Sequence, residues 1–118
     1  MDYRELGIQG EQVAAQLLET KGYHILEQNY RCRFGEIDIV AENRGEMVFV
    51  EVKTRSTAKF GRPADGVTEE KLYRMQRAAK HYVLFHSLTD VNVRFDVVEV
   101  YYASMKLRVH HLKDVVQL

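Results

Sequence analysis

The chain has 118 residues, equal numbers of basic and acidic residues and a formal net charge of zero. This length suits one domain spanning residues 1–118, and a 46% hydrophobic content is typical of globular proteins. No apolar run approaches the roughly 20 residues of a transmembrane helix, which argues against a membrane protein. The first residues lack a signal-peptide pattern, and the lone Cys32 cannot form an internal disulfide. We therefore expect a cytoplasmic protein.

The hydrophobic spacing predicts two helices and five strands in the order α-β-β-β-α-β-β. The helices are expected over residues 2–21 and 68–86, and the strands over residues 23–30, 36–42, 47–54, 91–102 and 105–116. Thr68 is the expected N-cap of the second helix. Residues 55–66 contain two glycines and a proline and are expected to form a loop. This order predicts an α/β fold with a mixed sheet flanked by helices, in which the second helix connects two parallel strands.

The charges are distributed unevenly along the chain. Residues 36–51 contain five acids and one base, whereas residues 53–80 contain eight bases and three acids. An acidic centre beside a basic segment suits a metal site next to a phosphate track. The alternative is that these charges lie on ordinary solvated faces.

The central β-hairpin carries acids and a lysine on otherwise apolar strands. Charged groups on a half-buried strand are costly unless they are paired. A two-residue turn at Arg44-Gly45 gives a register in which paired residue numbers sum to 89. It places Asp38 opposite Glu51 and Glu36 opposite Lys53, and glycine at the second turn position suits a type I′ turn. The hairpin valines and isoleucines, Ile37, Ile39, Val48, Val50 and Val52, are expected to face the core.

Two carboxylates directly opposite each other repel, and a cation between them would remove the repulsion. Hard oxygen ligands at this spacing suit Mg²⁺ or Mn²⁺ better than zinc. The alternative is a surface ladder in which Glu36 and Lys53 form an ion pair and Asp38 is solvated. The hairpin alone leaves both interpretations open.

Several motifs resemble a known family. Asp38 followed by Glu51-Val52-Lys53 is similar to the PD-(D/E)xK signature of restriction-endonuclease-like nucleases, although Ile37 stands where the signature has proline. The resemblance to the YraN-like bacterial proteins of that superfamily covers nearly the whole chain. It rests on Gly10-Glu11, Asn29-Tyr30-Arg31, Gly35-Glu36-Ile37-Asp38, Phe49 to Arg55, Phe60-Gly61 and Arg94-Phe95-Asp96-Val97. It implies a restriction-endonuclease-like core.

The resemblance also implies residue roles. Asp38 and Glu51 would bind Mg²⁺ or Mn²⁺ together with the main-chain carbonyl of Val52. Lys53 would position or activate the attacking water, and Glu11 would approach from the first helix as a further acidic ligand. Glu36 would have a supporting role beside them. The implied activity is metal-dependent hydrolysis of phosphodiester bonds by an endonuclease, with DNA in repair or recombination as the expected substrate.

Basic residues following Lys53 are candidates for phosphate contacts, with a solvated helix face as the alternative. They are Arg55, Lys59, Arg62, Lys71, Arg74 and Arg77. Tyr73 and Phe60 are candidates for stacking on bases, although aromatic residues more often pack.

Two other functions remain open: a catalytically silent nucleic-acid-binding module and a scaffold for a DNA-processing partner. Because 118 residues leave little room for a specificity domain, a homodimer or protein partner would supply selectivity. His110 and His111 would point to opposite faces of a strand, so a structural role is expected for them. Cys32 lacks a histidine partner at a recognisable spacing and is not expected to be a nucleophile.

Overall fold

The computed structural model describes residues 3–55, 68–103 and 105–116. It contains two helices and five strands in the predicted order. They are α1 (Tyr3–Thr20), β1 (His24–Cys32), β2 (Gly35–Asn43), β3 (Glu46–Arg55), α2 (Glu69–Phe85), β4 (Asn92–Ala103) and β5 (Lys106–Leu112). The mixed α/β fold is thereby confirmed, and the predicted loop falls almost entirely outside the described residues. No helix in the described part is long and apolar enough to cross a membrane.

Local signals determine where the two helices begin and end. Thr68 caps α2 as predicted, because its hydroxyl accepts a hydrogen bond of 3.2 Å from the backbone N–H of Lys71. Helix α1 ends just before Gly22, which has a φ of 91°. Glycine adopts this left-handed conformation without steric cost, so the chain can turn into β1.

The five strands form one sheet in the order β1-β2-β3-β4-β5. All neighbouring strands are antiparallel except β3 and β4, which are parallel. The β2–β3 turn has positive φ at both central residues, 51° at Arg44 and 84° at Gly45, as a type I′ turn requires. The chain between β3 and β4 includes α2, which confirms the predicted parallel crossover.

The sheet is covered on both faces, so β3 is buried on both sides. One cluster contains α1 residues and the hairpin residues Ile39, Val48, Val50 and Val52. The other contains α2 residues and Ile37, Val40, Met47 and Phe49. The expectation of one apolar hairpin face was therefore wrong: Ile37 and Ile39 belong to different clusters, and the face of Phe49 is covered by α2. The central position of β3 explains the difference, since each face meets a helix.

A buried ion network ties β4 to β5 at the α1 side of the sheet. Asp96 is fully buried and accepts two hydrogen bonds of 2.9 Å from the guanidinium of Arg94. His111 donates to it at 2.7 Å, and the backbone N–H of Asp114 does so at 2.9 Å. Burial opposes ionisation, but the hydrogen bonds from His111 and Arg94 outweigh it and lower the pKa of Asp96. His111 thus has the structural role expected for it.

Helix α1 approaches β3 most closely at Gly10, which is buried. A Cβ at this position would lie 3.0 Å from Cγ2 of Thr54 and would overlap its hydroxyl oxygen. The absence of a side chain therefore allows the helix backbone to rest on the strand, which brings the next residue, Glu11, toward the sheet.

Gly10→Ala should destabilise the protein by about 1–3 kcal/mol, because the added methyl group overpacks against Thr54. Thermal and urea unfolding measure this loss, and Thr54→Ala in the same chain should reverse much of it by removing both overlapping atoms. Gly7→Ala is the matched control, since a Cβ there meets nothing within 4 Å. It should leave stability unchanged or raise it by up to about 1 kcal/mol through helix propensity. Equal effects at the two glycines would refute the packing argument.

Candidate metal and phosphate site

An open cavity of about 850 Å³ lies where α1, α2 and the β2–β3 hairpin meet. It collects most of the residues that the sequence predicted for a site. Those lining it are Glu11, Glu36, Asp38, Glu51, Val52, Lys53, Arg55, Lys71 and Arg74. Lys59 and Arg62 lie outside the described residues. The cavity therefore combines buried acids with basic groups at one end of the sheet.

The predicted hairpin register is confirmed in the paired part of the ladder. Pairs run from Asn43 with Glu46 to Ile39 with Val50, and each pair of residue numbers sums to 89. The paired register ends there, immediately before Asp38 and Glu51. Asp38 and Glu51 therefore lie just beyond the regular ladder, where both side chains are buried.

The predicted pairing of Glu36 with Lys53 was wrong. Glu36 pairs with Arg31 of β1, with 3.4 Å between Oε2 of Glu36 and Nε of Arg31. The Lys53 ammonium lies 3.7 Å from Oε1 of Glu51 instead. The surface-ladder interpretation fails as well, since Asp38 is only 7% exposed. The physical reason is that β2 and β3 no longer pair at this end, so Glu36 finds its partner on the other neighbouring strand.

Asp38 is a buried carboxylate with one strong hydrogen-bond donor. Its Oδ2 accepts from the backbone N–H of Val52 at 2.8 Å. Burial and the nearby charge of Glu51 nevertheless raise the pKa of Asp38 to about 8. The backbone donor lowers the pKa but does not offset these two effects. In the absence of a cation, Asp38 therefore holds a proton at neutral pH.

Glu51 is buried and is paired with two ammonium groups. Its side chain forms an ion pair with Lys71 of α2 and lies 3.7 Å from the Nζ atom of Lys53. Burial and the neighbouring Lys71 lower the pKa of Lys53. Burial of Lys71 acts in the same direction, but its hydrogen bonds with Glu51 and Lys53 outweigh this effect and raise its pKa. Sequence reasoning had assigned Lys71 only to phosphate contact, since no spacing connects it with Glu51.

Glu11 reaches the site from α1, as the resemblance implied. Glu11 lines the same cavity as Asp38, and Asn29 and Asp38 are close enough to influence its pKa. Burial raises the pKa of Glu11, and the charges of Glu36 and Glu51 act in the same direction. Asn29 was missed as a site residue, although it stood in one of the matching motifs. Asn29 has a φ of 56°, a conformation that asparagine tolerates well. The sequence alone does not show that this residue adopts it.

The donor set suits a hard divalent cation. Asp38 and Glu51 supply carboxylate oxygens beside each other, and the repulsion that raises the pKa of Asp38 would be relieved by a cation. Among the described residues, no three histidine, cysteine or acidic side chains converge on one metal position. A cation here would therefore use the two carboxylates and water, with the main-chain carbonyl of the cavity-lining residue Val52 as the further ligand that the resemblance implies. This composition fits Mg²⁺ or Mn²⁺ better than zinc.

The basic residues at the cavity differ in how strongly they are already engaged. Arg74 is an exposed residue paired with Glu70 one helical turn away, at 2.5 Å. Arg55 is half-buried, and within the described residues its buried Nε–H donates to no acceptor. Surface ion pairs are weak and exchange readily with water and other anions. Both guanidinium groups can therefore donate hydrogen bonds to a phosphate.

Asp38→Asn should raise the stability of the metal-free protein increasingly as the pH rises. The pKa of Asp38 is about 8 in the folded protein and near 3.8 otherwise, so the folded state binds more protons between these values. Its contribution to stability is complete below pH 3.8 and is lost as the pH approaches 8. Melting temperatures in chelator-containing buffers test this, with Glu36→Gln as a control that removes a half-exposed carboxylate. A pH-independent difference between Asp38→Asn and the wild type would contradict it.

Residues 10–100 match the model of a family described as uncharacterised protein family UPF0102. A UPF0102 protein of Alkaliphilus oremlandii is 42% identical over 113 residues, which cover 94% of this chain and 97% of that protein. One of Clostridioides difficile is 43% identical, with 97% and 98% covered. One of Syntrophus aciditrophicus is 47% identical, with 92% and 86% covered. These similarities confirm the YraN-like assignment, and the chain belongs to the uncharacterised protein family UPF0102.

Proposed function

We propose that this protein is a metal-dependent phosphodiesterase that cleaves nucleic acid, with DNA as the expected substrate. The observation that carries the proposal is the pair of buried carboxylates, Asp38 and Glu51, with Lys53 at 3.7 Å from Glu51, in an open cavity. The resemblance to PD-(D/E)xK nucleases supports it independently, since it names the same three residues. Repair or recombination is the biological setting that the resemblance implies.

Asp38, Glu51 and the Val52 carbonyl would hold Mg²⁺ or Mn²⁺, with Glu11 as a further acidic group acting directly or through water. When bound, such an ion lowers the pKa of a coordinated water and neutralises the phosphate oxygens. The Val52 N–H orients the Asp38 carboxylate through its 2.8 Å hydrogen bond. Residues of two strands and one helix therefore hold the acidic groups in place.

Lys53 is the residue proposed to act on the attacking water. Its lowered pKa, caused by burial and by Lys71, makes the neutral amine more accessible than in an ordinary lysine. In that form it can accept a proton from water, and in the charged form it can stabilise negative charge developing on the phosphate. Glu51 restrains its position, because the two side chains lie on one strand two residues apart.

The rim of the cavity supplies phosphate-binding groups. Arg55 of β3 and two residues of α2, Lys71 and Arg74, line the cavity. Lys59 and Arg62 remain predicted members of the same group. Charge-assisted hydrogen bonds from these side chains would hold the backbone of a nucleic acid across the two carboxylates.

Lys53→Ala should lower the cleavage rate by about 10²- to 10⁴-fold, the usual contribution of a positioned acid–base group. The assay compares duplex, single-stranded, flap, four-way-junction and RNA substrates in Mg²⁺ or Mn²⁺ at low salt. Glu51→Gln should abolish cleavage on the same substrates. Lys113→Ala, which removes an exposed lysine far from the cavity, is the matched control.

Wild-type cleavage by purified Lys53→Ala would overturn the assignment. Nucleic-acid binding without cleavage by the wild type would instead favour a silent binding module. Neither binding nor cleavage at low salt would favour a scaffold, since phosphate contacts are strongest under that condition.

Lys71→Met should tighten Mn²⁺ binding roughly tenfold, because a unit charge at about 4 Å opposes a cation by about 1–4 kcal/mol. The same substitution should slow cleavage, since a phosphate contact is lost. Isothermal titration of the metal separates these effects from each other. Arg74→Ala is the control: its guanidinium is exposed and already paired with Glu70. Weaker Mn²⁺ binding by Lys71→Met would show that Lys71 supports the metal site.

A further inference from the structure

A row of aromatic and basic side chains, all exposed except for the half-buried His81, runs along α2. Its members are Tyr73, Arg77, His81 and Phe85, which are spaced four residues apart and therefore share one helix face. We call these four residues the α2 row. Tyr73 is 59% exposed and Phe85 is 73% exposed. Both rings are therefore accessible to a ligand.

The members of the α2 row are held in contact with one another. The guanidinium carbon of Arg77 lies 5.9 Å from the centre of the Tyr73 ring. The His81 and Phe85 rings are stacked, with centroids 6.1 Å apart and planes inclined by 13°. Contacts of this kind restrict the side chains, so less entropy is lost when a ligand binds.

The β1–β2 turn adds a further aromatic ring, Phe34, beside the row. Phe34 has the guanidinium carbon of Arg77 at 4.4 Å and that of Arg33 at 4.8 Å from its ring centre. The ring also lies 5.8 Å from His81. His81 is hydrogen-bonded through Nδ1 to the hydroxyl of the buried Tyr30 at 2.6 Å. The turn and the helix therefore present one continuous surface of rings and guanidinium planes.

The charges on this surface are available to a ligand. Within the described residues, neither Arg33 nor Arg77 lies within ion-pair distance of a carboxylate. Arg31 and Arg74, closer to the cavity, are paired with Glu36 and Glu70. A guanidinium without a carboxylate attracts phosphate, and its plane stacks on aromatic rings and bases.

The α2 row leads directly away from the proposed catalytic cavity. Arg74, which lines the cavity, lies three residues before Arg77 of the row, and side chains at this spacing are neighbours on a helix surface. The turn is also close, because a Cβ on Gly35 would lie 3.5 Å from the Cβ of Arg74. From Tyr73 to Phe85 the helix rises about 18 Å, enough for several unstacked nucleotides.

We propose that the α2 row and Phe34 bind a single-stranded segment of nucleic acid whose bases stack on the rings. Base faces are accessible in single strands and are hidden inside a duplex, so alternating rings and cations favour a single strand. Arg33 and Arg77 accompany these rings without a carboxylate within ion-pair distance in the described part of the chain, so the surface is basic and favours a polyanion. The inference rests on the proposed nuclease function only in assigning the substrate: a nucleic acid with a single-stranded tail or flap beside the cleaved bond.

The test is fluorescence anisotropy of a labelled oligo(dT) strand, and of a blunt duplex of equal length, in chelator at low salt. Tyr73→Leu and Phe85→Leu should each weaken binding of the single strand about tenfold, because stacking on one base contributes about 1–3 kcal/mol. Duplex binding should change little. Tyr73→Phe keeps a ring and should retain affinity.

Leu84→Ala is the matched control, since Leu84 is 68% exposed on the same helix but lies outside the row. It should bind the single strand as the wild type does. Wild-type affinity in both leucine variants, or no binding of oligo(dT) by the wild-type protein, would overturn the proposal. A change in oligomeric state alone, measured by sedimentation, would also overturn the proposal, because it would identify the row as a protein interface.

The outcome is separable from the nuclease assignment because binding is measured without divalent cations. Row-dependent binding by a protein that never cleaves would retain this inference and reject the nuclease. If cleavage shows no preference for substrates with a single-stranded part, and binding does not depend on the α2 row, this inference is rejected and the nuclease assignment is retained.

Discussion

The burial of Asp38 beside Glu51 is the constraint on which the rest of the structure depends. Two carboxylates away from water are costly unless each is protonated, hydrogen-bonded or neutralised. Asp38 has the Val52 N–H at 2.8 Å, and Glu51 has the ammonium groups of Lys53 and Lys71. Removing one of these partners would leave a buried charge uncompensated. Residues of β2, β3 and α2 must therefore all be in contact at this point of the fold.

The two helices bring different groups to this pair of acids. Helix α1 rests on β3 through Gly10, and this close approach delivers Glu11. Helix α2 delivers Lys71 and continues outward as the α2 row. At the opposite side of β4, the buried Asp96 network holds β5 in place and takes no part in the cavity. The charged groups that join β4 to β5 are thus separate from the charged groups that line the cavity.

In the function proposed above, the cavity and the α2 row would together form one path for a nucleic acid. The acids and Lys53 lie at its inner end, and the exposed rings and guanidinium groups continue along the helix that follows. One helix can serve both regions because its residues on different faces point toward different surroundings. The α2 row would thereby add substrate selectivity to the proposed catalytic site.

The sequence by itself determined the order of elements, the Thr68 cap and the Arg44-Gly45 turn, because periodicity and backbone preference act locally. It also placed Asp38, Glu51, Lys53 and Glu11 in one site, through the register and the resemblance to known proteins. Only the tertiary structure decided that Glu36 pairs with Arg31, that both faces of β3 are buried, and that Lys71 pairs with Glu51. These contacts depend on where β2 leaves β3 and on how each helix packs against the sheet. Glu36 and Arg31 are close in the chain, but their pairing follows from the loss of β3 as a partner; the contacts of Lys71 and of the helices with β3 join residues far apart, and no local pattern encodes them.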